Sequence, residues 1–168
     1  MTTRNVTIER VTRVASKPFE IVISALEAAV GPRNMPEYVQ RTEGARTLKE
    51  MESAVEKAIG PSGFMMFLKL DLGAVLRKET GLDSPKIVRF LIGNPLIMRE
   101  MARHVPDAGS YAPVTILVDE RLDGVHLSYD RMASFLAPYG SDKALVVARD
   151  LDKKVEDLIE KVAAPSPD

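Results

Sequence analysis

The chain predicts an α+β fold, a mixed, largely antiparallel sheet with helices packed mainly on one face, and three observations carry that prediction. Lys86 to His104 switches in one step from a strand pattern to a helix pattern. Apolar residues recur at helical spacing through Phe19–Val30, Leu48–Ile59 and Ala144–Val162. Most telling, Val114–Asp119 and Val125–Tyr129 are strands separated by only a turn. Neighbouring strands with no helix between them argue against a doubly wound parallel sheet.

Taken in order, Asn5 to Ala15 predicts a strand of weak alternation, with Val6, Ile8 and Val14 in one phase and Arg10 and Thr12 interrupting it, as at an edge or a bulge. Phe19, Val22, Ile23, Leu26, Ala29 and Val30 form the apolar stripe of a helix bounded by Pro18 and by Gly31-Pro32. Residues 31–46 contain Gly31, Pro32, Asn34, Pro36 and Gly44 with few periodic apolar positions, and predict a long surface loop of the kind that often serves as a lid. Thr47 to Glu50 has the capping-box pattern, and Leu48, Met51, Val55, Ala58 and Ile59 continue a helix stopped by Gly60-Pro61. In Phe64–Asp71 strict alternation puts Phe64, Met66, Leu68 and Leu70 on one side of a strand and Met65, Phe67, Lys69 and Asp71 on the other. Gly73 to Thr80 fits a short helical piece, and Gly81 to Pro85 a turn.

In the organising stretch, Val88, Phe90 and Ile92 share one side of a strand, and Ile97, Met101 and Val105 one face of a helix. Gly93-Asn94-Pro95 is the joint: Gly93 for a backbone conformation closed to other residues, Asn94 as cap, Pro95 for the first helical turn. After Pro106–Ser110, the strands at Val114 and Val125 meet in a hairpin turned by Asp123-Gly124, its loop slightly longer than the minimum. Asp130 opens a short helix to Leu136, Pro138–Gly140 breaks it, and Ser141 or Asp142 caps the last helix. There Ala144, Ala148, Leu151, Val155, Leu158, Ile159 and Val162 form the buried stripe, while Asp152, Lys153, Lys154, Glu156 and Asp157 read as its solvated face. Pro165–Asp168 reads as a frayed tail.

With 168 residues, 45% of them hydrophobic, one domain over 1–168 with an ordered core at about 5–163 accounts for the whole chain. Lys plus Arg number 23 against 24 Asp plus Glu, and the formal net charge of -1 gives no general attraction to nucleic acid or to an anionic membrane. Cysteine is absent, which removes disulfides, thiolate catalysis and Cys-ligated metals and fits a reducing compartment. The N-terminus lacks a secretion signal and no apolar run is long enough to span a bilayer, so a cytoplasmic location is expected.

Glycine-rich phosphate loops are missing, and His104 and His126 are too few for a multi-histidine centre, so no cofactor and no metal are expected. Met98, Met101 and His104 recur at three-residue spacing, which fits core filling better than metal or haem ligation. Ser128-Tyr129-Asp130 and Ser134 have no histidine base or oxyanion signature beside them. Lys69, Asp71, Arg89, Asp119 and His126 share the strand phase opposite the strongest apolar rows, together with Met65, Phe67, Leu91 and Leu117. A sheet face so mixed suits a partner subunit or a shallow ligand pocket. The candidate ligand residues are Arg89, Asn94, Tyr129 and Asp71: a carboxylate or phosphate at the N-terminus of the helix after Gly93 meets Asn94, Arg89 and the Tyr129 hydroxyl if the hairpin lies beside that strand.

Gly63-Phe64, Leu70-Asp71-Leu72-Gly73, Ile92-Gly93-Asn94-Pro95-Leu96, Met101, Tyr111-Ala112-Pro113-Val114 and Tyr129-Asp130-Arg131, in that order, resemble the bacterial and archaeal family called domain of unknown function 302, in its longer form, over about residues 5–163. The resemblance implies a small α+β fold with helices on a sheet and a homodimer, and it supplies no established activity. Family members commonly have Asp-His-Gly where this chain has Asp71-Leu72-Gly73, so a role for that histidine has no residue here. The expectation is a cytoplasmic, non-catalytic small-ligand-binding or interaction domain acting as a homodimer. The alternative is a small enzyme acting on an anionic metabolite through Arg89, Asp71 and Tyr129.

Overall fold

A computed structural model describes residues 1–31 and 34–165. Pro32 of the expected helix stop and Ser166–Asp168 of the expected tail lie outside the described residues. In chain order the elements are β1 (Arg10–Ala15), α1 (Phe19–Val30), α2 (Met35–Gly44), α3 (Leu48–Glu56), β2 (Met65–Asp71), α4 (Gly73–Thr80), β3 (Ile87–Gly93) and α5 (Pro95–Ala102). A 3-10 turn at Pro106–Ser110 leads to β4 (Val114–Arg121), β5 (Gly124–Asp130), α6 (Met132–Leu136), a second 3-10 turn at Ala137–Tyr139 and α7 (Asp142–Ala163). The strands form one sheet in the order β1-β5-β4-β3-β2. Every neighbouring pair is antiparallel, so the α+β class holds and the mixed character does not.

Directly paired residues of antiparallel strands share a face. Phe90 pairs with Ile116 and Ile116 with Tyr129, while Val88 pairs with Val118 and Val118 with Leu127. These rows are buried in one cluster with Phe19, Val22 and Leu26 of α1, Met101 of α5, and Ala148, Leu151, Val155 and Ile159 of α7. Burial of each large apolar side chain there contributes on the order of 2 kcal/mol. The opposite face leaves Arg89 and Val14 exposed and Leu91 and Leu117 half-buried. Helices therefore cover mainly one face, as the periodicities require.

The structure departs from the sequence expectations in four places. Residues 5–9 are not part of β1: the ladder with β5 ends at the Arg10–Asp130 pair, and beyond it a single bond from the Arg131 N–H to the Glu9 carbonyl at 2.9 Å is followed by α6, not by more strand. Within residues 31–46 the chain forms α2 instead of a loop. Its Asn34 side chain accepts from the Glu37 N–H at 3.4 Å, Pro36 stands in the first turn, and Glu37 pairs with Arg41 one turn on. No residue of α2 is fully buried, so these local signals replace an apolar stripe. The β4–β5 loop is the two-residue minimum, since Arg121 pairs with Gly124.

The fourth departure shapes the site. A bulge at Phe67 shifts the β2–β3 register between Met66 and Leu68 and reverses the phase of everything after it. Lys69 and Asp71 consequently pair with Phe90 and Val88 of the helix-covered face. Leu68 and Leu70 pair with Leu91 and Arg89 of the open face. Lys69 resolves its position by reaching Glu27 of α1 at 2.8 Å. Arg89, Asp119 and His126 remain on the open face as expected.

Candidate functional site

The four candidate ligand residues, three of them expected to meet an anion, do not form one site. Arg89 pairs with Leu117, and Leu117 with Ser128, so Arg89 and Tyr129 project from opposite faces of the sheet. Arg89 is exposed and donates to the Thr115 hydroxyl at 3.1 Å. Asp71 lies at the far end of β2, held by Arg77 at 2.5 Å and by the Ala74 N–H at 3.0 Å, and the Arg77 hydrogen bond keeps its carboxyl below the usual range. Asn94 caps α5 through its Oδ1, which accepts from the Leu96 N–H at 2.9 Å, while its Nδ2 donates to the Gly63 carbonyl at 3.1 Å. With Arg89, Asp71 and Tyr129 apart, an enzyme built on their convergence has no geometric basis.

Tyr129 is instead part of a structural knot. Its hydroxyl donates to Asp152 Oδ1 at 2.6 Å and accepts from the Met132 N–H at 3.2 Å. Asp152 also accepts from the Met132 N–H at 2.7 Å and the Ala133 N–H at 3.1 Å, so a residue of α7 caps the first turn of α6. Asp152, expected on the solvated face of α7, is buried. It stands between Ala148 and Val155 in the helical repeat, inside the apolar stripe, and that placement is the signal that could have found it. Burial raises the Tyr129 phenol, and the neighbouring Asp152 charge adds to the shift. Burial also raises the Asp152 carboxyl, outweighing the donors that favour its charged form.

The concave feature of the molecule best suited to a ligand lies at the joint after β3. It is a pocket of about 250 Å³. The β2 bulge delivers Phe67 to it, and α2 delivers Tyr38, whose ring meets Phe67 edge-on at 6.4 Å and 84°. Ile97, Met98 and Met101 come from α5, Pro113 and Val114 from the start of β4, and Leu151 from α7. Gly93 does not adopt the left-handed conformation anticipated for it. Its contribution is the missing side chain: a Cβ there would stand 3.4 Å from Phe67 Cε2 and 3.6 Å from Pro113 Cβ.

No lining residue is acidic or basic. Asn94 lines the pocket too, but its side-chain oxygen and nitrogen are each committed to the backbone. Asn94→Ala is therefore expected to cost about 1–2 kcal/mol, measured by urea denaturation, from the lost cap and the unpaired Gly63 carbonyl together. Burial raises the Tyr38 phenol, and among the described residues no hydrogen bond reaches its hydroxyl. Met98 and Met101 are expected to fill the core. Met101 is fully buried there, and the side chain also forms part of the pocket wall. Sequence spacing carried no signal for the pocket, because its walls come from the unforeseen bulge and the unforeseen helix α2. Among the described residues no group of three or more His, Asp or Glu side chains is arranged to hold a metal, and no helix is long and apolar enough to cross a membrane.

A family model described as domain of unknown function DUF302 matches residues 39–162. Among solved structures the chain is similar to an uncharacterized conserved DUF302 protein from Bacillus stearothermophilus, at 13% identity and a TM-score of 0.63, over 92% of this chain and 98% of that one. At that identity the likeness is one of fold. No curated protein matches the chain.

Proposed function

The chain belongs to the DUF302 family, and from that premise and the pocket we propose that it is a cytoplasmic, non-catalytic small-ligand-binding domain that acts as a homodimer. The pocket carries the reading. Ligand sites are typically concave and mostly apolar with few polar groups, and this one has those features at a size just below the usual range. Apart from the Tyr38 phenol, whose pKa burial raises, its walls hold no acid, base or charged electrophile, which favours retention of a ligand over its conversion. The absence of cysteine supports a reducing, cytoplasmic setting.

A thermal-shift screen with small neutral and anionic metabolites tests the reading. A ligand at about 100 times its Kd raises apparent stability by about 2.7 kcal/mol. Gly93→Leu places a side chain between Phe67 and Pro113 and is expected to abolish that rise while circular dichroism shows an unchanged fold. An equal rise in the variant would remove the pocket from consideration.

The open sheet face supports the homodimer. Leu91 and Leu117 are half-buried there, and the bulge adds Leu68 and Leu70 beside them. Phe67, expected on that face, belongs to the pocket, and Met65 is buried in a recess with Ala54 and Ala58 of the α3 region. Leu91→Glu with Leu117→Glu is expected to shift the protein from dimer to monomer in sedimentation velocity without loss of helical signal. A parent that sediments as a monomer at micromolar concentration would contradict the dimer.

A further inference from the structure

We propose, resting on the pocket reading above, that the ligand is an uncharged, flat aromatic molecule of about two fused rings, carrying no more than one hydrogen-bonding group, which the Tyr38 hydroxyl meets. Size sets the first bound. An apolar cavity of about 150 Å³ accommodates benzene, and the pocket, at about 250 Å³, has room for a second ring.

Shape sets the second. Tyr38 and Phe67 stand almost at right angles, so a flat ring stacked on one presents its edge to the other, the two arrangements aromatic pairs favour. Met98 and Met101 complete the walls with thioethers, which adapt to irregular outlines and make favourable contacts with aromatic edges.

Charge sets the third. An ion moved out of water without a partner loses far more than an apolar contact returns, and no lining side chain is charged. Arg99, on the same helix as Met98, is engaged by Glu52 and Glu100 at 3.1 and 3.0 Å. One charged recess elsewhere, around Lys69, Asp71 and Lys86, has these groups paired with Glu27, Arg77 and Glu20. Polar capacity in the pocket is limited in the same way. Asn94 spends one acceptor site on the Leu96 N–H and one donor on the Gly63 carbonyl, which leaves it one of each. The Tyr38 hydroxyl, without a partner among the described residues, is the lining side-chain group whose hydrogen-bonding capacity is wholly unused.

The test titrates the full chain with 2-naphthamide and 2-naphthoate, which differ in charge and scarcely in shape, and with naphthalene, followed by calorimetry. The amide is expected to bind at least about tenfold more tightly than the carboxylate. Tyr38→Phe is expected to weaken the amide about tenfold or less and to leave naphthalene unchanged, a difference that a purely structural role for the hydroxyl would not produce. Equal or tighter binding of the naphthoate would overturn the uncharged class while the pocket reading stands. Amide binding that survives in Gly93→Leu would place the ligand elsewhere and overturn the proposal. Failure of all three probes to bind folded protein would overturn the proposal and leave the pocket reading to the metabolite screen.

Discussion

Asp152→Ala is expected to destabilise the protein by about 3 kcal/mol, because it removes the acceptor shared by three donors and leaves the Met132 N–H only its 3.2 Å bond to the Tyr129 hydroxyl. The Tyr129 hydroxyl and the Met132 and Ala133 N–H groups all converge on this carboxylate, and Tyr129 and Met132 are both buried. No side chain of the preceding turn caps α6, so its start depends on α7 reaching across. Asp152→Asn retains an acceptor for Met132 and Tyr129 but turns an N–H toward Ala133, and is expected to fall between the parent and Asp152→Ala.

The same residue gives a pH dependence of defined sign. Burial raises the native carboxyl above its unfolded value, so the native state holds this proton more tightly than the unfolded chain does. The stability contributed by protonation is fully present below the unfolded carboxylate value of about 3.9 and is lost as pH rises through the raised native value. Parent protein unfolded by urea across that interval should show a downward component with rising pH that Asp152→Asn lacks. Coincident pH profiles for the two proteins would contradict the shift.

What was legible in the sequence follows from one-sided burial. α1, α7 and the strands β3 and β4 bury mainly one face against the same core, and burial on one face is what writes a period of 3.6 or 2 into a chain, whereas β5 is buried along both faces from Val125 to Tyr129. α2 buries no residue completely and therefore writes no period, although Asn34, Pro36 and the Glu37–Arg41 pair spelled out a helix start at short range. The bulge at Phe67 is equally silent. Residues 65–68 are all apolar, so no pattern marks which of them leaves the ladder, and a single residue squeezed out reverses the phase from Leu68 onward.

The candidate site failed on parity. Once β4 and β5 pair as a hairpin beside β3, Arg89 falls in register with Leu117 and Ser128, one residue out of step with Tyr129. A tyrosine ending the hairpin on the covered face had to find its polar partner in a covering helix, and Asp152 is that partner. The pocket drew on β2, α2, the Gly93-Asn94-Pro95 joint, α5, β4 and α7 together. No pattern local to one of these elements encodes a concavity shared by all of them.

Gly60→Ala is expected to be more damaging than ordinary overpacking, which costs about 1–3 kcal/mol, and to leave little folded protein. Read as a helix stop, Gly60 has a stronger reason to be glycine. A Cβ there would lie 2.4 Å from the Gly31 nitrogen, 2.5 Å from the Val30 carbonyl carbon and 2.8 Å from the Ala29 oxygen. All three are backbone atoms, so no side chain can rotate away to make room. The end of α1 is tied to this segment by the Ser62 N–H, which donates to the Ala29 carbonyl at 3.0 Å, and the Gly60 N–H donates to the Phe64 carbonyl at 2.8 Å. Separating the two chains enough to admit a methyl group breaks the first bond and drags the buried Phe64 with the second. The entry into β2, and with it the bulge that supplies Phe67, moves as well. Gly44→Ala is the control, since a Cβ at the end of α2 meets nothing within 4 Å, and its effect should stay within about 0.5 kcal/mol of the parent. Urea midpoints for the two variants decide the matter: if Gly60→Ala unfolds with Gly44→Ala, the backbones of Gly31 and Gly60 do not meet as closely as described.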